Sequence, residues 1–136
     1  MKKILFLILT LLVCNVMARS DVQVINREDI PIVSGSGKPL TADQVQKLIR
    51  DAGKAREWQF ANGENKDSLI GTLWVRQKHM ILVRIDYTQN SYSISYVDSS
   101  NMNAKKDATG KQLIHPKYNE WVNNFMSDVR KESGKF

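Results

Sequence analysis

Two histidines, His79 and His115, are the only imidazoles in the 136-residue chain. Acid–base or nucleophilic chemistry near neutral pH would draw on one of them. His79 falls at the end of an expected hairpin and His115 at the entrance of an expected helix, far apart in sequence. Ser93 and Ser95 lack a Gly-x-Ser-x-Gly elbow and alternate along a strand, as small polar residues on a solvated face do. A nucleophile, base and orienter in mutual reach are therefore not expected. Two histidines without a His-x-x-x-His spacing give no zinc signature. Asp98-Ser99-Ser100-Asn101 offers oxygen ligands but lacks the glycine and terminal glutamate of a calcium loop, and is expected to turn the chain. Glu57, Glu64, Asp67 and Glu120 could supply a carboxylate pair for glycoside chemistry, yet no spacing selects two of them. Ser34-Gly35-Ser36-Gly37-Lys38-Pro39 has neither the spacing nor the Gly-Lys-Ser/Thr of a phosphate loop, and is expected to be a flexible connector. No catalytic residue, cofactor or metal is expected.

The chemistry left is recognition. Trp74, Met80, Leu82 and Arg84 fall where a sheet would carry them on its second face, surplus to one core. They form a candidate patch for a protein partner or a second copy of the chain, unless the N-terminal lead-in covers them. Arg84 and Asp86, two apart on one strand face, are expected to form a surface pair. Arg76, Lys78, His79, Lys105, Lys106 and Lys111 lie in turns that could share one end of the sheet, a basic patch suited to anionic envelope polymers or lipid headgroups. A third possibility is a small-ligand or enzymatic site near His115 and Tyr118, beside the Tyr92/Tyr96 edge.

The elements that must position these residues follow from apolar periodicity. Val83, Ile85 and Tyr87 alternate with polar neighbours, as do Tyr92, Ile94 and Tyr96. With Thr88–Ser91 as loop, Tyr87 faces Tyr92, Ile85 faces Ile94 and Val83 faces Tyr96. Ile81 and His79 share that face, and Arg84, Asp86, Ser93 and Ser95 take the other. Strands are expected over 69–76, 79–87 and 91–97, with Trp58–Phe60 as a fourth before the Asn62-Gly63 turn. The register of the first hairpin stays open between a three-residue loop, which places Leu69, Leu73 and Val75 inward, and a two-residue loop, which places Ile70 and Trp74 there. Thr41 and Gln44 form a capping box ahead of Val45, Leu48, Ile49 and Ala52, which mark a helix that Gly53 ends or loosens. Lys47, Arg50 and Lys54 form its solvated face. Tyr118, Trp121, Val122, Phe125, Met126 and Val129 mark a closing helix with Pro116 at its first position and Ser133-Gly134 at its end. The expected fold is α+β: an antiparallel meander of three to four strands with an N-terminal and a C-terminal helix on one face, a two-layer sandwich.

The N-terminus carries an address. Lys2-Lys3, the apolar run Ile4–Val13, and Val16 and Ala18 at the −3 and −1 positions have the layout of a signal peptide cleaved after Ala18. The run is about half of the ~20 residues a membrane span needs. Cys14 raises the alternative of lipid attachment and a tethered structural protein, although Val13 is large for the residue before a lipidated cysteine. Cleavage removes Lys2 and Lys3, so 20 basic residues become 18 against 14 acidic ones, a net charge of +4. It also removes the only cysteine, so no disulfide or thiol chemistry is expected in the exported domain. That modest charge, spread over every segment, argues against nucleic acid. The expected organisation is a signal peptide over 1–18, an extended lead-in over 19–40 and one domain over 41–136.

Three strings carry a likeness. Val75-Arg76-Gln77-Lys78-His79, Tyr92-Ser93-Ile94-Ser95-Tyr96 with Asp98-Ser99 and Asn101, and Ile114-His115-Pro116-Lys117-Tyr118-Asn119 with Trp121 occur in this order. In these the chain resembles a group of small uncharacterised bacterial envelope proteins, over roughly Leu48 to Val129. The resemblance implies an export or lipoprotein signal, a helix, a meander and a closing helix, and it carries no catalytic residue. The function expected is that of an exported, periplasmic or secreted, non-enzymatic module that binds a protein partner or an anionic envelope surface.

Overall fold

The computed structural model describes residues 20–136; the expected signal peptide and Cys14 lie outside them. Ten elements follow in order: β1 (Val22–Gln23), β2 (Arg27–Pro31), α1 (Ala42–Lys54), β3 (Gln59–Asn62), β4 (Ser68–Val75), β5 (His79–Tyr87), β6 (Ser91–Ser100), β7 (Lys105–Lys106), β8 (Gln112–Ile114) and α2 (Lys117–Ser133). The main sheet has five antiparallel strands in the order β2-β6-β5-β4-β3, and a smaller one has the order β1-β8-β7. The fold is α+β, with the meander β3 to β6 at its centre.

Alternation dictates the central register. Tyr87 pairs with Tyr92, Ile85 with Ile94 and Val83 with Tyr96, so the side chains that must leave water fall together on one face. In the first hairpin Leu73 pairs with Ile81 and Val75 with His79 across a three-residue connection. That resolves the open register: Leu69 and Leu73 are buried, and Trp74 and Met80 stand opposite each other on the second face.

Both helices press on the inner face. The Thr41 capping box forms in full: Thr41 Oγ1 accepts from Gln44 N at 3.2 Å, and Gln44 Oε1 accepts from Thr41 N at 2.9 Å. Val45, Leu48, Ile49 and Ala52 of α1 and Tyr118, Val122, Phe125 and Val129 of α2 are buried against Leu69, Ile81, Val83, Ile85 and Ile94. Phe125 lies 5.2 Å from Trp58 and 6.0 Å from Phe60, ring centre to ring centre, fixing α2 over the start of the meander. Lys47 and Lys54 both reach Asp51, while Arg50 donates to Asn62 Oδ1 at 3.1 Å, so the polar face of α1 answers its own charges.

Several expectations are corrected. Gly53 does not end α1, which runs on to Lys54; a Cβ on it would stand 2.7 Å from Phe60 Cζ and 2.9 Å from Trp58 Cβ, so the glycine admits that aromatic pair. Asp98-Ser99-Ser100 does not turn: β6 runs through it, because a bulge between Leu82/Val83 and Tyr96/Asp98 absorbs Val97 and keeps Ser99 and Ser100 in pairing. Pro116 stands one residue before α2. The lead-in does not cover the second sheet face. It pairs as β2 along the edge of β6 and as β1 with β8, with a bulge at Asp29 (φ 49°) that shifts the register between Arg27 and Ile30. The serine–glycine connector is docked: Gly35 N donates to Ser133 O and Ser36 N to Phe136 O, each at 3.0 Å.

Candidate functional site

Two places on this frame gather recognition chemistry. The first is the outer face of the main sheet. Cross-strand pairing puts Trp74 beside Met80, Thr72 beside Leu82, and Ile70 beside Arg84 on that side. Trp74 is 51% exposed and the bulged Val97 46% exposed. Among the described residues no helix or strand lies over them. Arg84 donates to Asp86 Oδ1 at 2.9 Å, so the expected surface pair forms on this face. The four residues Trp74, Met80, Leu82 and Arg84 thus share one surface, which Ile70 and Val97 extend.

The second place was not legible as a unit. His79 and His115, distant in sequence, line one pocket of about 350 Å³ with Val75, Arg76, Met102, Lys117 and Trp121. Its walls come from the β4–β5 hairpin, the segment after β6 and the start of α2, and hydrogen bonds tie them together. Asn101 O meets His79 Nδ1 at 2.8 Å, Asn101 Nδ2 donates to Lys78 O at 2.8 Å, and His115 N donates to Met102 O at 2.8 Å. His115 Nδ1 accepts from Lys117 N at 3.1 Å, taking over the capping that Pro116 cannot provide. Each imidazole is therefore held by one nitrogen. A carbonyl on His79 Nδ1 requires a proton there, and an N–H aimed at His115 Nδ1 requires a lone pair.

The hairpin that contributes Arg76 is locally strained. Arg76 and Gln77 both take left-handed backbone (φ 56° and 55°), the geometry that primed hairpin turns demand and that glycine or asparagine adopts more cheaply. Asn101 and Asn103, either side of the pocket residue Met102, have φ of 55° and 53°. Asparagine tolerates this region because its short side chain bonds locally.

The basic patch divides. Arg76 and His79 reach the pocket. Lys105 is held by Asp21 at 3.1 Å in the small sheet, beside Lys106. Lys111 follows a tight turn in which Asp107 Oδ1 accepts from the backbone of Thr109 and Lys111 and from the Thr109 hydroxyl. Those bonds hold the Asp107 carboxyl below the usual range. Tyr118 does not join His115 in a site: it is 1% exposed, edge-on to Tyr96 at 5.5 Å, and burial pushes its phenol well above the ordinary value. Tyr92 is likewise buried and raised by desolvation, against a smaller opposing pull from Arg130.

Among the described residues no three His, Cys, Asp or Glu side chains converge as a metal site, and no helix is long and apolar enough to cross a membrane. No family model, no curated protein and no solved structure matches the chain.

Proposed function

We propose that this chain is an exported binding module of the bacterial envelope that works by docking rather than catalysis, through the outer face of its main sheet. The observation that carries this is Trp74, half exposed and set directly against Met80, with Leu82 next along the partner strand and Ile70 and Val97 farther along the same face. An ordinary outer sheet face is polar, and a tryptophan is the side chain most often dominant at protein interfaces. Export is supported by the Lys2-Lys3 head, the Ile4–Val13 run and the Val16/Ala18 pattern.

The partner we assign is a second copy of the chain. Arg84 and Asp86 sit on the same face, already paired with each other. In an isologous contact each can meet the opposite charge of the other copy, so the surface is complementary to itself. Two such sheets pack at about 10 Å with their strands offset by roughly 30°. Sedimentation of the purified mature chain tests this. We expect a dimer at micromolar concentrations, converted to a monomer by Trp74→Asp with circular dichroism unchanged, since Trp74 contributes nothing to the inner core. A wild-type chain that stays monomeric at millimolar concentration, or a Trp74→Asp dimer, overturns the assignment.

A further inference from the structure

Independently of the sheet face, we propose that the pocket between the β4–β5 hairpin and the start of α2 binds a small organic anion whose charge is carried on an aromatic ring. The lining supplies both halves of such a ligand. Arg76 and Lys117 bring cationic groups to it and His115 an Nε2–H, with the His79 ring beside them, and none of its lining residues is a carboxylate. Lys117 is itself answered from outside the lining, its amine meeting Glu120 at 3.1 Å. Trp121, Met102 and Val75 form the apolar wall, with Met102 buried and Trp121 half-buried, so a flat ring gains contact there that an inorganic ion cannot use. The volume, about 350 Å³, lies at the small end of the range for small-molecule sites.

Preorganisation separates this pocket from a chance gathering of basic side chains. The His79 ring is fixed by Asn101 O and the His115 ring by Lys117 N, which leaves each Nε2 without a partner among the described residues. Asn101 in turn is anchored to Lys78 O, and Met102 O to His115 N. Four hydrogen bonds among three stretches of chain therefore hold the two imidazoles in place before any ligand arrives, which reduces the ordering cost of binding. Arg76 presents a planar fork suited to a carboxylate, and no ion pair occupies it among the described residues.

The probe is benzoate, with benzyl alcohol, benzylamine and acetate as comparisons, read by two-dimensional NMR of the mature chain. Benzoate is expected to shift the His79, His115 and Trp121 signals saturably. Benzyl alcohol and benzylamine should leave them in place, and acetate should bind at least tenfold more weakly for want of the ring. Arg76→Gln, an exposed position, should weaken benzoate about tenfold with the spectrum otherwise conserved, the loss expected of one charge-assisted bond. Trp121→Leu should bring benzoate down towards acetate. Should Trp121→Leu fail to fold, the acetate comparison on the wild type decides the role of the ring. No saturable shift with benzoate, equal shifts with benzylamine, equal affinity for acetate, or an unaffected Arg76→Gln overturns the proposal.

Discussion

Gly35 lies against the backbone of Gly134, so close that a Cβ on Gly35 would collide with the Gly134 carbonyl oxygen and stand 2.8 Å from its carbon. The connector before α1 and the end of α2 are thereby locked together, with Gly35 N donating to Ser133 O at 3.0 Å beside the contact. A sequence of alternating serines and glycines is used here as a close-packed joint.

Gly35→Ala should therefore destabilise the chain by about 1–3 kcal/mol, the usual cost of forcing added volume into a packed contact. Gly37, two residues on, has open space around its α-carbon but φ of +71°, so Gly37→Ala should cost about 1 kcal/mol through backbone strain alone. Urea denaturation of the two variants checks the order. A Gly35→Ala chain as stable as the wild type would mean that the connector is free to move off α2.

The β4–β5 turn gives a prediction of the opposite sign. Gln77 is exposed and left-handed with φ of 55°, and its side chain makes no hydrogen bond among the described residues. Gln77→Gly removes a steric cost of about 1–2 kcal/mol in the folded state and adds back part of it as unfolded-chain freedom. A net gain of about 0.5–1 kcal/mol in unfolding free energy, read as a higher denaturation midpoint, is expected. A loss would show that the Gln77 side chain supports the turn.

How far the fold could be read ahead depended on which faces are apolar. The pairing of Tyr87 with Tyr92 and Ile85 with Ile94 was legible because a one-residue slip would expose every large side chain of β5 and β6. The stripe from Tyr118 to Val129 was legible for the same reason at helical period. In the lead-in, Val22 and Val24 with Ile30 and Ile32 alternate well enough to suggest one short strand, but the left-handed Asp29 between them and the two-residue length of β1 hide that there are two. Lys105–Lys106 pairs with Gln112–Ile114 through backbone bonds that leave almost no periodic trace. The convergence of His79 and His115 was hidden more deeply. It rests on Asn101 and Met102 bonding to both neighbourhoods, a non-local arrangement announced only by the left-handed tendency of the two asparagines around Met102.

The buried phenols of Tyr92 and Tyr118 set how the chain answers alkali. Both are raised above the ordinary value of 10.0 by burial, with the Tyr96 phenol adding to the effect at Tyr118. Above about pH 10 the unfolded chain gives up these two protons while the native chain keeps them. The unfolded state then binds fewer protons, so stability falls as pH rises, by up to about 1.4 kcal/mol per pH unit for each phenol. Below pH 10 both states are protonated and the contribution is level. Chemical denaturation at pH 8, 10 and 11 on the wild type, Tyr92→Phe, Tyr118→Phe and the double variant isolates the effect from lysine titration, which all four share. Each phenylalanine should shallow the alkaline decline, and the double variant most, whatever it costs at pH 8. An alkaline slope unchanged in the double variant would mean that water reaches both hydroxyls, and that α2 does not seal the inner face of the sheet.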